Sequence, residues 1–106
     1  MTLREFQRQI DATYGARDRA RGVDGTFRRL VEEVGELARA LRDGDPRKLE
    51  EETSDVLAWT VTVASLCRVD VERAGARYAN GCPKCGVIPC ACPSGSSERP
   101  RKSPPG

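Results

Sequence analysis

The chain has 106 residues, 32% of them charged and 38% hydrophobic, with a formal net charge of +2 and no histidine. The absence of histidine excludes His-based triads, histidine general bases, His-ligated metals and the Glu-x-x-His sites of di-iron bundles. The chain has neither an apolar run of about 18 residues nor a signal-like segment after Met1, so we expect a cytoplasmic protein without a membrane helix. Residues 93–106 hold three basic residues and one acidic residue, so the rest is neutral and nucleic acid is not an expected partner.

The first predicted helix runs from Thr2 to about Ala20 and carries a cationic end. Thr2 and Glu5 have the spacing of a capping box, in which each side chain accepts from the other residue's backbone amide. The end of the helix carries Arg17, Arg19 and Arg21. These arginines are either a solvated helix end favoured by the helix dipole or a clamp for substrate phosphates.

Three further helices are predicted, with a turn at residues 22–25 before them. They run from Asp24 or Thr26 to Asp43, from Pro46 to about Cys67, and over a short stretch after Asp70. Asp45 is a good N-cap and Pro46 suits the first helical position. We therefore predict an all-α bundle of about four helices, built around an antiparallel helical hairpin.

Apolar residues of the second predicted helix recur at i, i+3, i+4 and i+7, which predicts a core-facing stripe made of Phe27, Leu30, Val31, Val34, Leu37, Ala38 and Leu41. The third helix is apolar almost all round from Val56 to Cys67, the pattern of a helix buried on more than one side. A chain this small has a modest core, so we expect oligomerisation to complete the bundle.

Two acidic pairs flank the predicted hairpin turn. Glu33 and Glu36 are spaced i, i+3, as are Glu52 and Asp55, so each pair lies on one side of its helix. Such residues are often solvated surface. Four carboxylates facing one groove would repel one another unless a cation lay between them, and oxygen ligands suit Mg²⁺. The pattern therefore indicates a candidate Mg²⁺ site.

The segment LVEEVGELARAL followed by EEETSDVLAW resembles the MazG-like nucleotide pyrophosphohydrolases of the all-α NTP pyrophosphatase group. The family motif, ExxE followed by ExxD, falls on Glu33, Glu36, Glu52 and Asp55. The resemblance implies a homodimer or homotetramer that cleaves a nucleoside triphosphate to monophosphate and pyrophosphate with Mg²⁺. The four carboxylates would hold the ion, and one of them or Glu32 would take a proton from the attacking water.

The resemblance also suggests substrate contacts. It favours Arg19 and Arg21 as phosphate ligands, and it places Arg77 and Asn80 where related proteins often use a lysine and an asparagine on the triphosphate. Arg77 keeps the charge of that lysine but changes its geometry. Trp59, one turn beyond Asp55, is either a core residue or a wall against which a base packs.

The cysteines near the C-terminus predict a small metal-binding appendage with the spacing C-x2-C-x4-C-x-C, on Cys82, Cys85, Cys90 and Cys92. Four thiolates suit a structural tetrahedral Zn²⁺ ion, while two disulfides, redox chemistry or free thiols remain alternatives. We therefore expect a pyrophosphohydrolase domain at 1–80, a four-cysteine zinc knuckle at 81–92 and a disordered tail at 93–106.

Two other functions fit parts of this pattern. A non-enzymatic adaptor could use the hairpin to dimerise and the zinc knuckle to bind nucleic acid or protein, but it leaves the acidic pairs unexplained. The second alternative is a pyrophosphohydrolase whose substrate is a phosphoribosyl nucleotide rather than a nucleoside triphosphate.

Overall fold

The structure is a computed structural model that describes residues 1–93, and its described part is all helical, as predicted. The elements are α1 (Leu3–Asp43), α2 (Pro46–Leu66), α3 (Val71–Gly75) and one 3₁₀ turn (Ala76–Tyr78). These are three α-helices rather than about four, because α1 continues through the turn predicted at residues 22–25. The predicted tail lies, apart from Pro93, outside the described residues.

Gly22 divides α1 into two helical segments. Its backbone angles are φ 84 and ψ 173, which are not helical, while the residues on both sides keep helical geometry. Glycine adopts this positive φ because it has no Cβ to collide with the backbone. The expected interruption of the helix is therefore present, but it occupies one residue instead of a four-residue turn.

The predicted caps are confirmed at both ends of the hairpin. Thr2 Oγ1 accepts from the Glu5 amide at 3.0 Å, and Glu5 Oε1 accepts from the Thr2 amide at 2.7 Å, which completes the capping box. Gly44 closes α1 with φ 74, and Asp45 caps α2 by accepting from the Arg47 amide at 3.0 Å. These local interactions fix where α1 ends and α2 begins.

The two long helices form the predicted antiparallel hairpin. Near the start of α1, Gln7 Nε2 donates to Ser65 Oγ at 3.0 Å, close to the end of α2. Near the end of α1, Ala40 lines a small cleft together with Lys48 and Glu52 from the start of α2. Both segments of α1 therefore pack along α2, and the break at Gly22 allows this.

The hydrophobic core of the single chain is small. Among the described residues, the buried apolar side chains are Ala40 and Val61. The apolar stripe predicted to face the core is largely at the surface: Leu30 and Leu37 are half-buried, but the other members are exposed, namely Phe27, Val31, Val34, Ala38 and Leu41. The prediction of a core-facing stripe is therefore wrong for a single chain, because α2 covers a different side of α1.

The chain divides into two compact units, Met1–Ala74 and a C-terminal unit that begins at Gly75. The functional boundary predicted between residues 80 and 81 stays a prediction. Within residues 1–93, none of the helices has both the length and the apolar character needed to cross a bilayer.

An ion-pair group joins the first turn of α1 to α3. Arg4 Nη2 lies 2.9 Å from Asp70 Oδ2, and Arg4 Nη1 lies 3.2 Å from Glu72 Oε2. The hydrogen bond from Arg4 lowers the pKa of Asp70, and bonds from the amides of Arg73 and Glu72 act in the same direction. Asp70 also caps α3 through these two amides, at 3.0 Å from Glu72 N and 3.3 Å from Arg73 N.

Asp70→Asn tests the charge of this group without removing the cap, because asparagine is an equally good N-cap. An aspartate whose pKa is lowered by folding adds stability above its unfolded pKa of about 3.9 and loses it as the pH falls through the folded pKa. We therefore expect the variant to be less stable than the wild type at neutral pH. The difference should shrink below about pH 4 in urea titrations. Asp24→Asn, at an exposed position, is the control and should leave the free energy of unfolding close to that of the wild type.

Candidate functional site

Three of the four predicted motif carboxylates meet across the hairpin. Glu33 comes from α1, and Glu52 and Asp55 come from α2. One carboxylate oxygen from each of the three lies within 4.8 Å of the others, and all three side chains are half-buried. The antiparallel register of α1 and α2 therefore concentrates negative charge at one place on the N-terminal unit.

The surroundings of these carboxylates are unfavourable for three bare negative charges. Burial raises the pKa of Glu33, and the charges of Asp55 and Glu52 raise it further, while Arg29 acts in the opposite direction. Glu52 Oε1 is buried and has no hydrogen-bond partner in the part of the chain that the structure describes. A buried oxygen of this kind normally has a partner, such as a water molecule or an ion.

The donor set fits a hard divalent cation. Carboxylate oxygens are the ligands that Mg²⁺ and Ca²⁺ prefer, and a cation among Glu33, Glu52 and Asp55 would offset their repulsion. It would also give the buried Glu52 oxygen the partner that the protein does not supply. We call Glu33, Glu52 and Asp55 the acidic cluster.

The other two predicted carboxylates lie outside this cluster. Glu36 accepts from Arg39 at 3.1 Å, and Glu32 accepts from Arg29 at 3.1 Å. Both glutamates are exposed. Their predicted roles, a fourth metal ligand for Glu36 and a proton acceptor for Glu32, stay predictions.

A cleft of 340 Å³ adjoins the acidic cluster, with Asp55 belonging to both. Trp59 lines this cleft, and the guanidinium carbons of Arg21 and Arg29 lie over its indole ring at 4.8 Å and 5.3 Å from the ring centre. The cleft thus combines an aromatic wall, two cations and one of the cluster carboxylates. These are the groups needed to bind an anionic, partly aromatic molecule.

Two buried polar side chains, those of Asp18 and Thr26, fix Arg21 in the wall of the cleft. Its Nη1 atom donates to Asp18 Oδ1 at 3.0 Å and to Thr26 Oγ1 at 3.0 Å. Asp18 is 6% exposed and Thr26 is fully buried. Because both acceptors are held inside the protein, the guanidinium of Arg21 is oriented before any ligand binds.

The cleft residues that the sequence analysis did not identify as site residues include Tyr14, Asp18 and Arg29. The spacing of residues along α1 could have identified Tyr14 and Asp18. The first segment of α1 lines the cleft with Ile10, Tyr14, Arg17, Asp18 and Arg21. These positions follow the i, i+4, i+7, i+8, i+11 spacing of one helix face. Arg29 had a weaker signal, one turn before Glu33 on the same side of α1.

The remaining predicted substrate ligands lie elsewhere in the chain. Arg19 pairs with Asp11 at 3.2 Å and lines a different cleft from that of Trp59. Arg77 and Asn80 lie in the C-terminal unit, where the Arg77 guanidinium is 5.7 Å from the ring centre of Tyr78. The predicted contacts of these residues with a nucleotide stay predictions.

The C-terminal unit brings its four cysteines together. One Sγ atom from each of Cys82, Cys85, Cys90 and Cys92 lies within 4.8 Å of the others. Backbone amides of Cys85 and Lys84 lower the pKa of the Cys82 thiol to about 6, and the amides of Ala91 and Val87 lower that of Cys85. Cys82 can therefore supply a thiolate to a metal ion at neutral pH.

Comparison with known families finds a match over more than half of the chain. The family model described as the MazG nucleotide pyrophosphohydrolase domain matches residues 21–80. This range includes the acidic cluster, Trp59, Arg77 and Asn80, and it ends before Cys82, the first of the four C-terminal cysteines. A comparison with curated proteins gives no match.

The raised pKa of Glu33 leads to a prediction for metal-free protein. A glutamate whose pKa is raised by folding adds stability below its unfolded pKa of about 4.3, and this stability is lost as the pH rises through the folded pKa. In EDTA near neutral pH, Glu33→Gln should therefore stabilise the protein, because it removes a charge that burial and the charges of Asp55, Glu52 and Glu36 disfavour. Below about pH 4 the gain should vanish. Urea denaturation measures the free energy of unfolding at both pH values. Glu51→Gln, at an exposed position, is the control and should leave this free energy close to that of the wild type.

Proposed function

Because the chain belongs to the MazG family of nucleotide pyrophosphohydrolases, we propose that it hydrolyses nucleoside triphosphates to nucleoside monophosphate and pyrophosphate with Mg²⁺. The observation that carries this proposal is the acidic cluster, in which three carboxylates from two helices converge around a buried oxygen without a partner. A purely structural hairpin has no use for this arrangement, because it costs stability without adding packing.

In this proposal Glu33, Glu52 and Asp55 hold the ion. When bound, Mg²⁺ supplies positive charge to the phosphate oxygens and orients a water molecule. The carboxylates that the structure leaves at the surface, Glu32 and Glu36, are then the candidates to accept the proton of the attacking water. Each would first leave its present arginine partner, Arg29 or Arg39.

We place the nucleotide in the 340 Å³ cleft, with its phosphates toward Asp55. Arg21 and Arg29 present guanidinium groups there, and a guanidinium fork binds two phosphate oxygens at once. Trp59 holds both arginines over its ring at 4.8 Å and 5.3 Å, so its first role is to position these phosphate ligands. Packing of a base against Trp59 would require one arginine to move off the ring.

We also propose that the enzyme is a homodimer or homotetramer, with a second copy covering the exposed face of α1. Phe27, Val31, Val34 and Leu41 lie within about 40° of one line along the helix, and 49% or more of each is exposed. The buried side of α1, at Thr26 and Ala40, lies about 100° or more away from that line. The apolar face is therefore additional to the α1–α2 contact, and the small core of one chain gives a reason for it to be covered.

Two alternatives remain as outcomes of the activity test. If the protein hydrolyses only phosphoribosyl nucleotides, the proposed type of reaction is correct but the proposed substrate class is wrong. An adaptor without activity would leave Glu52 Oε1 buried for no purpose.

The proposed reaction predicts Mg²⁺-dependent formation of monophosphate and pyrophosphate from a panel of ribo-, deoxyribo- and modified nucleoside triphosphates. Glu52→Gln should lower kcat at least about 100-fold, the scale on which loss of one electrostatic stabiliser slows an enzyme. Chromatography that separates monophosphate and pyrophosphate from diphosphate and orthophosphate measures the products.

Glu51→Gln is the matched control, because Glu51 neighbours Glu52 on α2 but is exposed and outside the acidic cluster. It should keep wild-type turnover. Equal activity of the Glu52 and Glu51 variants, or release of diphosphate and orthophosphate, would contradict the proposed mechanism.

The proposed interface predicts that Val34→Asp dissociates the oligomer into monomers, since it places a charge in the centre of the apolar face. Light scattering after size exclusion measures the mass in solution. Arg28→Asp, about 100° from the line of that face, is the control and should leave the mass unchanged. A wild-type monomer, or an oligomer that survives Val34→Asp, would refute this interface.

A further inference from the structure

The four cysteines of the C-terminal unit have the mutual spacing of ligands to one metal ion. Cys82 Sγ lies 3.8 Å from Cys92 Sγ, and Cys85 Sγ lies 4.0 Å from Cys90 Sγ. A tetrahedral Zn²⁺ ion with Zn–S bonds of about 2.3 Å separates its sulfur ligands by about 3.8 Å. The observed separations are therefore those of a tetrathiolate site, and nearly twice the length of a disulfide bond of about 2.05 Å.

The backbone around Cys82 holds these sulfurs in place. The Gly86 amide donates to the Cys82 carbonyl at 2.6 Å, and the Cys82 amide donates to the Val87 carbonyl at 3.2 Å. Gly86 has φ 77, and Gly81 has φ 105 with so little space that a Cβ there would lie 2.7 Å from Val87 O. Both positions thus favour glycine. The result is a tight turn that brings Cys82 and Cys85 to the same side.

Backbone amide groups donate to the sulfur atoms of this cluster. Lys84 N donates to Cys82 Sγ at 3.4 Å, Ala91 N donates to Cys85 Sγ at 3.2 Å, and Cys92 N donates to Cys90 Sγ at 3.4 Å. Four thiolates around a divalent ion carry a net charge of about −2, and such amide donors stabilise it. The same donors would add little to four neutral thiols.

Apolar packing contributes little to the conformation of this segment. Val87 is 44% exposed and Ile88 is 78% exposed, and of residues 81–92 none is buried. A segment this short needs a cross-link or a metal to hold one conformation. The convergence of the four sulfurs supplies the place for such a metal.

We propose that residues 82–92 form a closed structural Zn²⁺ site with Cys82, Cys85, Cys90 and Cys92 as its four ligands. Thiolates fill all four tetrahedral positions, so no position is left for a substrate or a reactive water. The site is separate from the acidic cluster in chemistry as well as in sequence, since soft sulfur ligands select Zn²⁺ and carboxylates select Mg²⁺. The zinc site does not depend on the proposed hydrolysis.

The test uses the full chain, purified under reducing conditions, with zinc measured by inductively coupled plasma mass spectrometry. We expect about one Zn²⁺ per wild-type chain and a fall to near zero in Cys85→Ser and Cys90→Ser. Cys67→Ser is the matched control, because Cys67 caps α2 in the N-terminal unit and lies outside the cluster. It should keep the full zinc content, as should Glu52→Gln. Circular dichroism checks that all variants retain the helices of the N-terminal unit.

Two further measurements give evidence independent of activity. Co²⁺ exchanged into the wild type should give the visible bands of tetrahedral thiolate coordination, and these bands should be absent from Cys90→Ser. Trypsin should cut after Lys84 faster once a chelator has removed the metal, because the closed turn protects this bond. The proposal would be overturned if the wild-type chain contained no zinc or gave no Co²⁺ bands. It would also be overturned if the cysteines were paired as two disulfides under reducing conditions, or if both cysteine variants retained zinc.

Discussion

Antiparallel packing of α1 on α2 decides where the charged groups of the N-terminal unit meet. The caps at Gly44 and Asp45 leave almost no freedom in the connection, so the register of the two helices follows from where they end and begin. That register places Glu33 beside Glu52 and Asp55, with one oxygen of each within 4.8 Å of the others. The packing free energy of the hairpin must offset the repulsion it creates, unless a cation removes that repulsion.

The break at Gly22 is the second constraint on the site. Without it, a straight α1 of 41 residues would extend far beyond α2, which has 21. With it, the first segment of α1 returns to α2 and brings Arg21 over Trp59. The cleft that we assign to the nucleotide is therefore made by three helical segments, while the acidic cluster needs only two.

Much of this architecture could be predicted from local sequence signals. The capping box at Thr2 and Glu5 and the Asp45–Pro46 start of α2 are short-range patterns, and the structure has them where the sequence places them. What could not be predicted depends on how helices pack. Glu33 and Glu36 lie only about 60° apart on α1, and the crossing of α1 over α2 decides which of them faces the cluster. The apolar periodicity of α1 likewise identifies an apolar face but does not tell whether the same chain or a second copy covers it.

The two proposed metal sites differ in ligand type. The acidic cluster offers oxygen atoms on rigid helices, where an ion can keep open positions for water and phosphate. The four cysteines offer sulfur atoms on a tight turn, where an ion would be fully enclosed by protein. The preferences of Mg²⁺ and Zn²⁺ for oxygen and sulfur ligands would oppose exchange of the ions between the two proposed sites.

A direct titration tests whether the acidic cluster binds a divalent cation. Mn²⁺, a paramagnetic substitute for Mg²⁺, would be titrated into metal-free protein while electron paramagnetic resonance follows the free ion. We expect saturable binding to the wild type, competition by Mg²⁺, and loss of binding in Asp55→Asn with retention in Glu51→Gln. Absence of binding to the wild type, or equal binding by the two variants, would contradict cation binding by the acidic cluster.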